Sequence, residues 1–213
     1  MPRNIERDAK REQERRKNLI EAGLKLFSSY GIESVKLQDV ADEAGVGIAT
    51  LYNYYQNKVN LVIAISAYVW KKVWDTFRER NNIEERNAYQ RLEDYFDLII
   101  YIYKEYPEVL RFSGYYKTYM NMEKAEKGIN NEHIRVLTPV SDAFHDMYES
   151  AKVDKSMRTD IDEHELFTAV SLTMLGMAER YAQGLVWNGH DDNDYTKELL
   201  ILKDMMLKWL KGE

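Results

Sequence analysis

Residues that interrupt a helix are scarce along this chain. Prolines occur only at positions 2, 107 and 139 of its 213 residues, and glycines number ten. Both residue types are costly inside a helix, so their scarcity favours long helices. No sustained alternation of apolar and polar residues indicates a strand. The sequence therefore predicts an all-α fold.

Apolar residues recur at helical spacing along most of the chain. The pattern predicts helices at residues 11–29, 37–44, 48–55, 59–79, 88–104, 107–122, 127–151, 162–188 and 195–211. The first three are close together, which is the spacing of a helix-turn-helix domain. A polar stretch at 78–87 marks the boundary between two lobes. We expect a helix-turn-helix domain over residues 1–60 and a larger helical domain over residues 61–213.

Charge is distributed unevenly along the sequence. The net charge is −6, which alone argues against a nucleic-acid binder. Residues 1–17, however, contain seven Lys or Arg against four acids. Residues 1–60 contain ten against nine, or +1, which leaves −7 for the remainder. The N-terminus is thus the positive end of the chain.

Three absences bear on the compartment. There is no cysteine, no apolar run of membrane-spanning length, and no apolar region of a secretory signal near the N-terminus. A chain without cysteine fits a reducing environment. We expect a cytoplasmic protein with no membrane partner.

The predicted third helix, residues 48–55, contains more hydroxyl groups than a core needs. On a helical wheel Leu51 and Tyr55 share a face with Val46 and should pack inward. The other face is polar and aromatic, and a lysine follows at position 58. Hydroxyls, amides and lysines commonly contact DNA phosphates. The alternative is an ordinary surface helix whose tyrosine rings lie along the protein surface and contact no DNA.

Small and apolar residues at the start of this helix suit close contact with a base. Ile48 and Ala49 can pack on a thymine methyl, and Thr50 can bond a base or a phosphate. Gln38, at the start of the second helix, can bond adenine or phosphate. The predicted DNA contacts are Lys36, Gln38, Gly47, Ile48, Ala49, Thr50, Tyr52, Asn53, Tyr54 and Lys58.

The segment LQDVADEAGVGIATLYNYYQNKVNL (37–61) resembles the DNA-binding signature of the tetracycline-repressor (TetR) family of bacterial regulators. The resemblance extends over residues 16–63. It implies phosphate contacts from Thr50, Tyr52 and Tyr54, and a backbone contact from Lys58. Three positions depart from the family pattern. Lys36 stands where a capping threonine is usual, Gly47 where serine is common, and Ala49 where glycine or proline is frequent. We expect Ser34 to serve as a substitute cap.

The same resemblance implies that the larger domain dimerises and binds a small molecule. Helix 162–188 is apolar on more than one face, and helix 195–211 has a broad apolar stripe. Two such helices from each chain would form a four-helix interface. They could instead close the core of their own domain. We expect the homodimer, because a two-fold operator needs two recognition helices one DNA turn apart.

Aromatic residues and methionines are abundant in the larger domain and suit an apolar cavity with a few polar groups. Most of them will be ordinary core residues. A cationic aromatic ligand or a neutral lipid-like one fits this composition. The residues that we expect to line a ligand site are Trp70, Trp74, Tyr95, Ile99, Tyr103, Tyr115, Tyr119, Phe144, Met174 and Met177.

Catalytic and metal-binding patterns are missing from the sequence. The histidines at 133, 145, 164 and 190 share no metal-ligand spacing, and His164 lies in an acidic segment that resembles a helix start. There is no glycine-rich phosphate loop, GxSxG or HExxH. We expect no enzyme, no cofactor and no metal.

The leading hypothesis is a ligand-responsive transcription regulator, most often a repressor in such families. It would bind a palindromic operator as a homodimer and be released by a small apolar or aromatic molecule. One alternative is a nucleoid-type protein that binds DNA without sequence choice or ligand control. Another is a helical-bundle enzyme, which would need a titratable cluster.

Overall fold

A computed structural model of the chain describes residues 5–80, 86–127, 132–186 and 194–212. Helices account for most of these ranges, and no strand occurs within them. The all-α prediction is therefore confirmed. The helices are α1 (Ile5–Tyr30), α2 (Leu37–Glu43), α3 (Ile48–Tyr55), α4 (Lys58–Arg80), α5 (Ala88–Glu105), α6 (Pro107–Lys127), α7 (Glu132–Asp154), α8 (Glu163–Ala182) and α9 (Thr196–Lys211).

Four helix ends differ from the sequence prediction by five or six residues. α6 ends at Lys127 rather than at 122, and α7 begins at Glu132 rather than at 127. α1 begins at Ile5 rather than near residue 11, so the basic N-terminal segment continues the helix. α8 ends at Ala182 rather than at 188. Gly184 has a φ of +70°, a left-handed conformation that glycine adopts without strain and that ends the helix. The backbone N–H of Leu185 donates to the carbonyl of Arg180 across this turn, at 3.0 Å.

The first three helices enclose a small core. Leu19 and Phe27 of α1, Val40 of α2 and Leu51 and Tyr55 of α3 are all buried. α2 packs on α1 and on α3, and α3 also contacts the start of α4. The apolar spacing of each helix therefore turns one face of it toward a common centre.

The turns before and after α2 are each fixed by one local feature. The carboxylate of Asp39 accepts the backbone N–H of Lys36 at 2.8 Å and so caps the start of α2. Asp39 thus supplies one capping hydrogen bond from inside the helix, and the role of Ser34 as a substitute cap stays a prediction. Gly45 follows the helix with a φ of +67°, which a side chain would make costly. This turn sets the angle between α2 and α3.

The larger lobe is built on α4 and α5. α4 packs on α1, α6 and α7, while α5 lies among α6, α7, α8 and α9. α1 also packs extensively on α6, so the helix-turn-helix region rests directly on the lobe. The predicted boundary between residues 60 and 61 falls in the first turn of α4, and the division into two domains stays a prediction.

A buried polar group joins α6 to α8. The carboxylate of Glu179 accepts the hydroxyl of Ser113 at 2.7 Å and the ammonium of Lys117 at 2.8 and 2.9 Å. Such a buried carboxylate is stable only when it is paired and hydrogen-bonded. These contacts hold the two helices in one register. Among the described residues, no helix is both long and apolar enough to cross a membrane.

Candidate nucleic-acid interface

The inner face of α3 is fixed by two residues, as the helical wheel predicts. Leu51 is fully buried, and Tyr55 is buried with only 7% of its surface accessible. The hydroxyl of Tyr55 donates to the backbone carbonyl of Arg16 on α1, at 3.3 Å. Burial raises the pKa of Tyr55 and Arg16 lowers it, with burial the larger effect. Tyr55 is therefore a neutral, structural side chain that positions α3 against α1.

The outer face of α3 is left open to solvent. Ala49 and Asn53 are exposed, and Tyr52 has 49% of its surface accessible. Gly47, just before the helix, is exposed as well. Ala49, Tyr52 and Asn53 therefore project from one side of a helix that is anchored on its other side, and Gly47 lies at its exposed start.

Three further predicted contacts are half-buried at the edges of this face, namely Ile48, Thr50 and Tyr54. The guanidinium of Arg16 lies over the ring of Tyr54, 4.5 Å from its centre. Arg16 also donates to Glu12 one turn earlier on α1, at 3.0 Å. A cation held over a tyrosine ring at the edge of α3 adds positive charge beside the predicted phosphate contacts.

The N-terminus of α3 lacks a side-chain cap, as the glycine at position 47 predicts. Among the described residues, no side chain accepts a hydrogen bond from the first backbone N–H groups of this helix. Such groups form a site that favours anions, and phosphate is a suitable acceptor. A Cβ at Gly47 would meet no atom within 4 Å, so the glycine is not required by packing.

Lys36 and Gln38 lie at the start of α2, and both are exposed. The side-chain amide of Gln38 donates to Asp42 on the next turn, at 2.8 Å. This bond uses one of the two amide hydrogens of Gln38 and leaves the other for a base or a phosphate.

The side chain of Lys58, which follows α3 in the sequence, points toward the core, and its contact with DNA stays a prediction. Its ammonium donates to the backbone carbonyl of Glu33, at 3.2 Å. It also lies 5.8 Å from the ring centres of both Phe27 and Tyr119. Burial lowers its pKa, and the acidic Glu33 and Glu123 partly offset that effect. A long flexible stem lets the head fold back toward the core, which sequence spacing does not reveal.

The basic residues near the N-terminus lie along the exposed part of α1. Arg7, Lys10, Arg11, Arg15 and Lys17 all have solvent-accessible side chains. Lys17 approaches Glu21 at 3.6 Å. Arg3, which the sequence counts with this group, lies outside the described residues. Positive charge next to a surface of hydroxyls and amides is what non-specific attraction to DNA requires.

The ten predicted ligand residues are largely absorbed into the core. Trp74, Ile99, Tyr103, Tyr119, Phe144 and Met174 are buried, and Trp70, Tyr95, Tyr115 and Met177 are half-buried. They pack against different neighbours. Phe144 contacts Phe167 with ring centres 4.9 Å apart, whereas the hydroxyl of Tyr103 accepts the backbone N–H of Tyr195 at 3.1 Å. Burial raises the pKa of Tyr95 to about 12. Their role in ligand binding stays a prediction.

A cavity of about 120 Å³ lies elsewhere, between α1, α4, α5 and α6. Its lining includes Leu24, Tyr68, Val73, Tyr101 and Val109. Among the residues that line it, none belongs to the ten predicted ones. Tyr68 and Tyr101 are tyrosines on helices already predicted, but only the packing of four helices shows that they share a cavity. A shallower groove of about 490 Å³ includes Tyr103 and Tyr181.

One group of side chains in the described residues has the chemistry to hold a metal. The ligand atoms of His145, Glu149 and Glu163 lie within 4.8 Å of one another. The group is at the surface, and Glu149 already accepts Lys152 at 2.5 Å. His164 serves instead at the start of α8, where its backbone N–H donates to Asp162 at 2.9 Å, so the predicted helix start is confirmed. The prediction of no metal site remains a prediction.

Comparison with known proteins identifies the helix-turn-helix. Residues 19–65 match the family model described as bacterial regulatory proteins, tetR family. Those residues contain α2, α3 and the buried parts of α1 and α4 that hold them. Residues 19–65 are therefore a DNA-binding domain of the TetR-family type. The resemblance drawn from residues 16–63 is thereby confirmed.

Curated relatives that match this part of the chain are named as regulators. The HTH-type transcriptional repressor KstR of Mycobacterium tuberculosis is 32% identical over 81 residues, which is 38% of this chain and 36% of KstR. KstR of Rhodococcus jostii is 37% identical over 62 residues, 29% of each chain. The match therefore spans about a third of these relatives' length. Their names agree with the prediction that the chain is not an enzyme.

Solved structures extend the likeness to the whole fold. The fatty acid degradation regulator FadR from Bacillus halodurans superimposes with a TM-score of 0.69 at 15% identity, covering 90% of this chain and 94% of FadR. The ketosteroid transcriptional regulator KstR2 of Mycobacterium tuberculosis gives 0.66 at 15% identity, covering 93% and 96%. At such low identity the agreement concerns the fold alone. It shows the TetR-family arrangement of an N-terminal helix-turn-helix and a C-terminal helical lobe.

Proposed function

We propose that this TetR-family regulator binds a palindromic DNA operator as a homodimer, represses transcription there, and is released by a small apolar or aromatic molecule. Residues 1–60 would form the DNA-binding domain and residues 61–213 the domain for dimerisation and ligand binding. Since the proposed partner is DNA, we place its action in the cytoplasm. The relative KstR is named a transcriptional repressor, which supports repression rather than activation.

The two-sided character of α3 is the observation that supports DNA binding most directly. One side is anchored by Leu51 and Tyr55, and the other exposes Ala49, Tyr52 and Asn53. A helix held in this way can enter a major groove without losing its own contacts to the domain. Its uncapped N-terminus and the adjacent basic surface of α1 suit phosphates.

The exposed apolar surface of α8 and α9 supports the homodimer. Leu172 of α8 and Leu200, Ile201 and Met205 of α9 each expose between 46% and 61% of their surface. Scattered apolar residues need no explanation, but three within two turns of one helix form a patch of the kind that partners cover. A two-fold axis through this patch would pair α8 and α9 with their copies.

The contact between α1 and α6 supports control by a ligand. α1 belongs to the helix-turn-helix and α6 to the larger lobe, and α4 touches both. A molecule that binds one arrangement of these helices more tightly than another would change the population of DNA-competent protein. The change in DNA affinity is limited by that difference in ligand affinity.

Selection of bound fragments from random duplex DNA by the full chain tests this function. We expect enrichment of a palindrome with half-sites about one helical turn apart. The retained complex should contain two chains for each palindrome. Recovery of DNA with no common sequence, with binding that depends only on salt, would instead indicate a nucleoid-type protein and overturn the proposal.

A further inference from the structure

The cavity between α1, α4, α5 and α6 has an apolar interior. Val69, Leu98, Ile102 and Val109 are buried side chains that line it, and Leu24 of α1 closes one side. Its volume of about 120 Å³ is close to that of an engineered apolar cavity of about 150 Å³ that stays dry and binds benzene. The space therefore matches one six-membered ring.

Three tyrosine rings are among the groups that line the cavity. Tyr101 and Tyr106 meet edge to face with their ring centres 5.9 Å apart, and Tyr68 lies on the neighbouring α4. Tyrosine presents an apolar ring with one polar end, which lets a site take an apolar molecule and still face water. These rings would cover the faces and edges of a ring-sized ligand.

The charged groups of this site remain at its rim. Lys72 is exposed, with its ammonium 5.6 Å from the ring centre of Tyr106. Glu21 is exposed and 3.6 Å from Lys17, and Glu108 is half-buried. Both signs of charge are present, and water reaches them. An ionised ligand that entered would lose its hydration without a buried counterion, which is costly.

We propose that this junction cavity binds an uncharged, ring-sized apolar molecule. The site uses Leu24 and Glu21 of α1, so its occupant touches a helix that holds α3, and it is separate from the core positions predicted to bind ligand. That an occupant changes DNA affinity rests on the proposed function. The binding itself does not depend on it.

Binding of four probes to the full chain, measured by calorimetry and by melting temperature, tests the proposal. Toluene and phenol are the neutral rings, and benzoate and benzylammonium carry opposite charges on the same ring. We expect both neutral probes to raise the melting temperature and to bind at least tenfold more tightly than either ion. Equal or tighter binding of one ion overturns the assigned ligand class, and no binding of any probe overturns the site.

Substitutions then locate the binding. Val73→Phe places a ring in the cavity and should weaken toluene binding at least tenfold, whereas Val153→Phe makes the same change at a position that is 84% exposed. Val109→Ile is a milder filling if Val73→Phe does not fold, as judged by helical circular dichroism. Unchanged toluene binding in a folded filled variant overturns the location.

The DNA measurement separates the two proposals. If the probe-free chain binds no palindrome but Val73→Phe still abolishes toluene binding, the proposed function fails and the cavity assignment stands. If the chain binds its palindrome and no probe binds, the cavity assignment fails and the proposed function stands.

Discussion

The helices α3 and α9 each bury one face in the fold, but their exposed faces differ in polarity. Each buries one face, α3 through Leu51 and Tyr55 and α9 through Leu199, Leu207 and Leu210. What α3 exposes is hydroxyl and amide, whereas α9 exposes Leu200, Ile201 and Met205. The difference teaches that the buried face fixes a helix in place and the exposed face selects the partner. A polar face suits phosphates, and an apolar one suits a second protein surface.

Removing an anchor of α3 should have the largest effect. We expect Leu51→Ala to lower the free energy of unfolding by about 2 to 5 kcal/mol, because it leaves a cavity in a small core. Tyr52→Ala, the adjacent change on the outer face, should stay within about 0.5 kcal/mol. Urea denaturation of both variants measures this contrast. Similar losses in the two would mean that α3 is not two-sided.

A charge introduced on the exposed face of α9 should have the second-largest effect, on the stability of the homodimer. We expect Ile201→Glu to raise the dissociation constant of the homodimer at least tenfold, because the glutamate would lose its hydration in an apolar interface. Val153→Glu on α7 is the matched control, since that valine is 84% exposed. Sedimentation velocity over a range of concentrations gives both constants. A monomeric wild type, or equal effects of the two changes, would contradict the role given to α9.

Lys58 tests whether the DNA-binding surface rearranges. If its ammonium leaves the carbonyl of Glu33 to meet a phosphate, Lys58→Ala should reduce the salt slope of DNA binding by about 0.9. Lys71→Ala removes a charge from the same helix at an exposed position that pairs with Asp75 and should leave the slope unchanged. A wild-type slope in Lys58→Ala would show that the lysine keeps its inward position on DNA.

The smallest effect that we expect is on the pKa of His145, which lies on α7 rather than on α3 or α9. Its pKa is raised above 6.5, chiefly by a hydrogen bond from the ring to Glu163. The folded value exceeds the unfolded one, so the stabilisation is fully present below about pH 6.5 and is lost as pH rises through the folded pKa. Nuclear magnetic resonance titration should show the pKa fall in Glu163→Gln. No change would mean that the pair does not persist in solution.

The fold and the buried side of α3 follow from the sequence because apolar spacing fixes which face of a helix is covered. Other features depend on side-chain direction and on packing between helices. The side chain of Lys58 turns inward to the carbonyl of Glu33, and the carboxylate of Asp39 turns back to the N–H of Lys36. The apolar stripe of α9 is evident from the sequence, but which of its residues stay exposed depends on how the helix packs. The cavity lies between four helices that leave space where they pack. The apolar periodicity of a single helix cannot predict such a space.

The central claim is that the outer face of α3 contacts DNA, and the hydroxyl of Tyr52 tests it most directly. Tyr52→Phe keeps the ring and removes one donor, so it should weaken binding to the selected palindrome about tenfold, the usual cost of a hydrogen bond to a charged group. Tyr30→Phe makes the same change on another exposed tyrosine and should bind as wild type. Wild-type affinity in Tyr52→Phe, or equal losses in both variants, would contradict the claim.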